Sequence, residues 1–488
     1  MGVDDQNLGV LIIGAGAAGL CMAAQLELAG RSDFVVLEKS DGVGGTWRDN
    51  SYPDSGCDVP SHLYSFSFAP NPRWSRKWAK QPEILEYFES LPQRFGFADR
   101  IRFGVEVTEA TWSEDECCWT VRTTDDSSLR AKVLVNGLGQ LNVPHVPDIV
   151  GLETFEGVRF HSARWNHDHD LAGERVGVIG VGASAIQFVP PVARQAGHLT
   201  LFQRTPNYVV PKPDREFRAW ELAAFSHLPA LRRAYRWWTY WRLESKFNLM
   251  RRDSALGRLL QKRVDQELSK LADDRLPREV LVPDYPPGCR RLLISNDWYP
   301  TLLRENVTVT DSGVERITPD GVVTADGVLH ELDTLIFGTG FATTEFLTPL
   351  KITGAGGVDL NEAWSDGAVA YLGLSVPRFP NMFILYGPNT NLGHNSILFM
   401  IEQQVSYVLA ALEQLDRRGA RAIDVTSGAQ QRWDAEIRER SASTVWAGDC
   451  SSWYKTADGR ITNNWVGHTT EYRRRLHTPD WGDWRFQR

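Results

Sequence analysis

Three glycines spaced G-x-G-x-x-G, Gly14, Gly16 and Gly19, precede an acid, Glu38, about 20 residues further on. The set suits a dinucleotide. Gly14 permits a tight turn, Gly16 lets the backbone approach a pyrophosphate, and Gly19 lets a helix pack closely on a strand. Glu38 accepts hydrogen bonds from ribose hydroxyls and repels a ribose phosphate, which favours FAD or NAD over NADP. A second set, G-V-G-A-S-A with Gly180, Gly182, Ser184 and Ala185, leads to Gln203-Arg204-Thr205 in place of the acid. The Arg204 guanidinium can pair with a ribose 2′-phosphate, which selects NADP. Arg204 alone also reads as a surface charge at a strand end; the unit around it favours the phosphate, with Ser184 and Thr205 counted in the same site.

These residues need strands and helices to hold them. Val10 to Ile13 reads as a strand, Leu20 to Ala29 as a helix and Phe34 to Leu37 as a strand. The second unit repeats this with Arg175 to Ile179, Ile186 to Gln195 and Leu199 to Phe202. Each helix N-terminus offers unpaired N–H groups and a positive dipole end to phosphates. Two dinucleotide sites in one chain are economically explained by a nicotinamide that delivers hydride to a flavin. A third strand, Leu332 to Phe337, followed by Gly338-Thr339-Gly340-Phe341, predicts re-entry into the first domain. The expected fold is α/β, with two Rossmann-like dinucleotide-binding domains for FAD and NADP, the second inserted in the first. The expected boundaries are 1–145 and 329–488 for the FAD domain and 146–328 for the NADP domain.

Residues 214–277 break the pattern. Apolar and charged residues alternate there at helical spacing, and Tyr235 to Trp241 is dense in aromatics. A helical excursion beside the active site is favoured over an interfacial membrane helix with basic flanks, because acidic residues are interspersed. The segments Tyr235 to Trp241 and Trp446 to Trp453 are candidates to line a roomy pocket, although ordinary core packing explains them equally well.

A chain of 488 residues exceeds one simple core. Its net charge of -8 gives no general pull towards nucleic acid or anionic membrane. No apolar stretch is long enough to span a bilayer. Met1 to Gln6 is acidic and reads as no leader, and Gln6 stands where a myristoylation motif needs Ser or Thr. The six cysteines lack C-x-x-C spacing, which argues against zinc and against a dithiol centre. They read as buried, reduced thiols of a cytoplasmic protein, with no metal, no nucleic-acid partner, no stable membrane insertion, and a monomeric or weakly homo-oligomeric state.

Between the two glycine units lies F-E-G-V-R-F-H-S-A-R-W-N, with Phe155, Gly157, His161 and Trp165. It resembles the F-x-G-x-x-x-H-x-x-x-W fingerprint of type I Baeyer–Villiger monooxygenases, which are class B flavoprotein monooxygenases. Asn166 replaces the usual Pro or Asp. Gly44-Gly45-Thr46-Trp47, Tyr52-Pro53 and Asp58 resemble a second family pattern, with Asp54 where the family usually has Gly or Met. Gly288-Cys289-Arg290-Arg291 resembles the stretch that carries the catalytic arginine. Ser452-Trp453-Tyr454, Gly459-Arg460 and Asn464-Trp465 resemble the C-terminal pattern.

The resemblance implies an FAD-dependent NADPH:oxygen monooxygenase. Acting through a C4a-peroxyflavin, it would insert one oxygen atom beside a ketone carbonyl to give an ester or lactone. Molecular oxygen and a small-molecule ketone are the implied partners. Arg291 is implied as the fixed cation of catalysis, Asp58 as the carboxylate that orients it by a fork, and Arg290 as a helper of Arg204. Gly45, Thr46, Trp47 and Asp58 are implied at the FAD site. His161 and Trp165 are implied to position the linker rather than move protons. The competing readings are a flavin-containing monooxygenase of sulfur or nitrogen, which lacks the Trp165 letter, a disulfide reductase, which needs a cysteine pair near Gly45, and a non-catalytic nucleotide sensor.

Overall fold

A run that is apolar at nearly every position must be covered on both faces, and Leu8–Ile13 is such a run. In the computed structural model, which describes residues 8–252, 254–448, 450, 452–456 and 458–488, it lies within an eight-stranded sheet. It runs parallel to Phe34–Glu38 on one side and Ser128–Asn136 on the other. Ser128–Asn136 continues into an antiparallel meander with Cys118–Thr123 and Val107–Ser113, and also pairs with Met382–Ile384. The helix Ala17–Leu28 follows the first glycine loop. Met1 to Gln6, read above as no leader, lies outside the described residues.

The second sheet has five parallel strands in the order Val307–Thr310, His198–Phe202, Arg175–Ile179, Thr334–Phe337, Val158–His161. The two-domain α/β architecture expected from the glycine units is therefore present. One boundary moves. The strand ending at Phe337 does not re-enter the first domain but pairs in register between Val158–His161 and Arg175–Ile179. All four of its residues are buried, which requires neighbours on both edges, and the second sheet supplies them. The chain crosses back afterwards, where His145 N–H donates to the Gly340 carbonyl at 2.9 Å. It rejoins the first sheet only at Lys351–Thr353, beside Val107–Ser113. The FAD domain resumes after these glycines rather than at 329.

The excursion is helical, with Ala219–His227, Pro229–Glu244 and Ala255–Ser269. Its first two helices leave the second domain and pack on the first, whereas Ala255–Ser269 returns to the second, where Leu268 joins the core of Val176 and Leu199. Phe217, Phe225, Tyr240, Leu243 and Phe247 join the same buried cluster as Val10, Val36 and Leu63.

The cysteine reading is corrected in part. Cys21, Cys57, Cys117 and Cys118 are buried and free, whereas Cys289 and Cys450 form a disulfide with Cα atoms 6.4 Å apart. The sequence could not show this, because the two are 161 residues apart and meet only when the loop before Arg291 folds against the C-terminal region. Titration of the denatured, unreduced protein with a thiol reagent should therefore find four reactive thiols, rising to six after reduction. Six without reduction would contradict the bond.

Candidate active site

Gly14 has φ +93°, and a side chain on it would press on the Gly137 carbonyl. The turn it permits brings Gly16 within van der Waals reach of Gly45, the start of the Gly-Thr-Trp stretch. Glu38 ends its strand buried, with Oε2 accepting from Ala15 N–H at 2.7 Å and Oε1 from Ser40 N–H at 2.9 Å. The carboxylate is thus fixed at the rim of the first glycine loop. Thr46 Oγ1 donates to the Leu141 carbonyl at 3.2 Å, and Trp47 Nε1 to Tyr64 Oη at 2.9 Å. The second unit has the same build. At Gly180, with φ +107°, a Cβ would strike the Gly338 carbonyl, and the helix Ala185–Gln195 follows.

Both loops open on one cavity of about 970 Å³. Gly14, Gly16, Glu38, Gly45, Thr46, Trp47 and Asp58 line it from the first domain. Gly180, Gly182, Ser184, Arg204, Thr205, Arg290 and Arg291 line it from the second. Gly19 and Ala185 stand behind these walls, where they let the helices approach. Arg204 is exposed at the rim. Among the described residues it has no carboxylate partner, whereas a structural surface arginine such as Arg175 is paired twice. Arg290 lies over the Tyr285 ring at 4.8 Å.

Arg291 and Asp58 meet across the domain boundary. Nε and Nη2 of Arg291 donate to Asp58 Oδ2 at 2.8 and 2.5 Å. Both bonds converge on one oxygen, so the expected two-oxygen fork is replaced by a single-oxygen clamp. The side chains are 27% and 30% exposed, and they line the cavity. Burial alone would raise the Asp58 pKa, but Arg291 outweighs it and holds the carboxyl below its ordinary value. Asp58 in turn raises the Arg291 pKa further. Each partner thus favours the charged form of the other.

Three features stand behind the pair, and among them Gln187, Lys212, Tyr386, Asn391 and Leu392 have no signature in the sequence. Gln187, on the second unit's helix, accepts from Gly56 N–H at 3.1 Å through Oε1 and donates to the Gly56 carbonyl at 3.0 Å through Nε2. Lys212 Nζ donates to the Cys57 carbonyl at 3.2 Å. Both hold the Asp58 loop to the second domain. The third is the C-terminal wall, where Tyr386, Asn391, Leu392 and Trp453 line the cavity. Burial, helped by the nearby Asp58 carboxylate and opposed by Arg291, pushes the Tyr454 phenol up to about 12. Asp54 explains its own departure from the family pattern: its φ is +64°, a conformation natural to Gly and tolerated by Asp. Tyr235 to Trp241 does not line the cavity, contrary to one expectation, and of Trp446 to Trp453 both Ser452 and Trp453 do.

The fingerprint residues sit at the joint rather than in the cavity. His161 ends the outer strand of the second sheet, is buried, and accepts from Ala163 N–H at 3.1 Å through Nδ1. Burial lowers its pKa to about 4, so it is neutral. The Trp165 ring packs against Phe160 and Phe188 at 5.1 and 5.4 Å. Phe155 closes a small core with Leu332 and Leu335. At Gly157 a Cβ would collide with the Asp333 carbonyl and the Phe155 ring.

Comparison with known proteins gives the same picture. Residues 11–230 match a family described as pyridine nucleotide-disulphide oxidoreductase. A protein of Streptomyces coelicolor named Baeyer-Villiger monooxygenase is 42% identical, over 99% of this chain and 93% of its own length. The chain belongs to the Baeyer–Villiger monooxygenase family. Cyclohexanone monooxygenase from Rhodococcus sp. Phi1, solved bound to NADP+, superimposes with a TM-score of 0.89 at 30% identity, covering 99% of both chains. OTEMO, solved as a complex with FAD and NADP, gives 0.89 at 28%, covering 98% of this chain and 99% of its own. In this monooxygenase the cysteine pair that a disulfide reductase needs beside Gly45 is absent among the described residues: Cys57 is alone and buried.

Arg204→Ala is expected to raise the KM for NADPH about tenfold to a hundredfold, the loss of one charge-assisted contact, with the KM for NADH nearly unchanged. Steady-state kinetics with both nucleotides decide it, and an unaltered preference would remove Arg204 from the 2′-phosphate site.

Proposed function

We propose that Arg291, clamped by Asp58, is the cation on which oxygen insertion into a ketone depends in this FAD- and NADPH-dependent monooxygenase. The observation that supports it is an ionised Asp58–Arg291 pair, contributed by two domains, at the wall of the cavity that both glycine loops share. The residues present fit both cofactors. Glu38 stands buried behind the first loop for a ribose, and Arg204 stands unpaired at the second for a phosphate. Gln140 lines the space between with a buried Oε1 that lacks a partner among the described residues. FAD, when bound, takes hydride from NADPH and activates oxygen.

The protein's own part is electrostatic. Attack on a ketone carbonyl leaves negative charge on its oxygen, and a fixed donor aimed there lowers the barrier. Arginine suits the task because it cannot lose its proton. Asp58 takes Nε and Nη2 and makes no bond to Nη1, which leaves donors for the reacting oxygen. The clamp also stops the long side chain from swinging away, so little reorganisation accompanies the reaction. Gly45, Thr46 and Trp47 would border the flavin, and Ser184, Thr205, Arg204 and Arg290 the NADPH phosphates. Tyr386, Asn391, Leu392 and Trp453 line the C-terminal side of the cavity and would shape the ketone pocket. The neutral, walled-off His161 supports a role in holding the linker. A sulfur- or nitrogen-oxidising flavin enzyme has less need of a clamped cation, and Trp165 together with the family assignment places that activity second.

Arg291→Ala should leave reduction of the flavin by NADPH intact while ester formation falls about a hundredfold or more. Stopped-flow absorbance follows the first and product mass the second; NADPH consumption alone would also count uncoupled oxidation. Near wild-type ester yield in the variant would end the assignment.

A further inference from the structure

The helix Pro229–Glu244 has two unlike sides. Inward, Tyr240 and Leu243 are buried against the first domain. Arg236 Nη1 donates to the carbonyls of His62 and Ser65, each at 2.8 Å. Glu244 accepts from Thr469 N–H and Asn395 Nδ2, both at 2.6 Å. Outward, Leu231, Trp237, Trp238 and Trp241 fall together at helical spacing. They are 44%, 47%, 56% and 56% exposed. Three indoles on one open face form a contiguous apolar patch of the kind that marks an interaction site.

The charge around the patch says what it meets. Residues 218–263 hold eleven Lys and Arg against three Asp and Glu, a balance of +8 in a chain whose total is -8. Interspersed acids argued against an interfacial helix on sequence grounds. The structure turns two of them inward. Glu221 is 9% exposed and paired with Arg215, and Glu244 is 2% exposed with the partners named above. The charged residues left exposed on this helix are arginines: Arg233 and Arg242 are exposed, and Arg242 lies over the Trp238 ring at 4.8 Å. Indoles favour the headgroup level of a bilayer, and arginines there pair with lipid phosphates.

We propose that the outer face of Pro229–Glu244 docks this monooxygenase reversibly on an anionic phospholipid surface. Docking is peripheral, since no helix among the described residues is long and apolar enough to cross a membrane. A second copy of the chain suits the face less well, because a two-fold contact would press two identical patches of the same positive sign together. The proposal does not depend on the ketone chemistry or on the role of Arg291.

The test is sedimentation of the FAD-loaded protein with vesicles of phosphatidylcholine alone or mixed with phosphatidylglycerol. Binding is expected to the mixed vesicles only, and to fall as salt is added. Arg233→Gln with Arg242→Gln should lower the partition coefficient about thirtyfold, two surface charges' worth. Trp237→Ala with Trp238→Ala and Trp241→Ala should reduce binding to background. Retained flavin content and unchanged NADPH oxidation with a water-soluble ketone show that the variants fold. No binding to the mixed vesicles at low salt, or equal binding by the variants, overturns the proposal. So does a concentration-dependent dimer that the tryptophan variant abolishes while vesicles go unbound, which would assign the face to a second copy.

Discussion

The ion pair between Asp58 and Arg291 is the contact on which the rest of the site is built. Its halves come from different domains, 233 residues apart. Removing either partner would strand a charge in a partly desolvated cavity, a loss of several kcal/mol by the general behaviour of buried pairs. A pair of this kind holds only if both loops are held. Gln187 and Lys212 grip the backbone at Gly56 and Cys57, directly before Asp58. The disulfide of Cys289 anchors the loop two residues before Arg291 to the C-terminal region. The helical excursion, rooted in the second domain and packed on the first, adds a third tie through Arg236 and Glu244. These contacts restrict how far the two sheets can move apart while the clamp survives.

The same boundary separates the two cofactor preferences. Glu38 and Arg204 occupy equivalent ends of equivalent strands and carry opposite charges, the contrast on which the proposed sorting of the two nucleotides rests. Their surroundings differ as their tasks do. Glu38 is buried and bonded by two backbone N–H groups, so it presents a fixed acceptor to neutral hydroxyls. Arg204 is exposed and has no carboxylate partner among the described residues, so no acid offsets its charge. On the proposed assignment, a solvent-facing cation lets NADPH arrive and leave, whereas a buried carboxylate suits a ligand that stays.

Local pattern carried much of this to the sequence level. Both glycine units, their strands and helices, and the acid-against-cation contrast are short-range features, and they fall where their spacing put them. The boundary near 329 was misread because a strand followed by glycines looks alike in either sheet. Only the register of Thr334–Phe337 against Val158–His161 distinguishes them. Gln187, Lys212, Tyr386 and Asn391 had no signal at all: each is an ordinary residue whose meaning comes from a partner far away in sequence. The cysteine pair was hidden for the same reason. Asp54 shows the reverse case. It departs from the family pattern, yet its backbone takes a positive φ, a conformation that Asp, like Gly, can supply.

The tryptophans divide by the same logic. Trp74, Trp119, Trp446 and Trp465 are fully buried, and the indole N–H groups of Trp119, Trp446 and Trp465 find backbone carbonyls, as burial of such a group demands. Those of Pro229–Glu244 are left in the open, at some cost in exposed apolar surface. Nothing in the catalytic cavity uses them, since none lines it. The helix could have been made soluble by any polar residue at these positions without disturbing Arg236 or Glu244, which face the other way. An apolar face retained beside arginines, while the nearby acids Glu221 and Glu244 are folded inward, is therefore better explained by a surface that it meets than by the fold it belongs to.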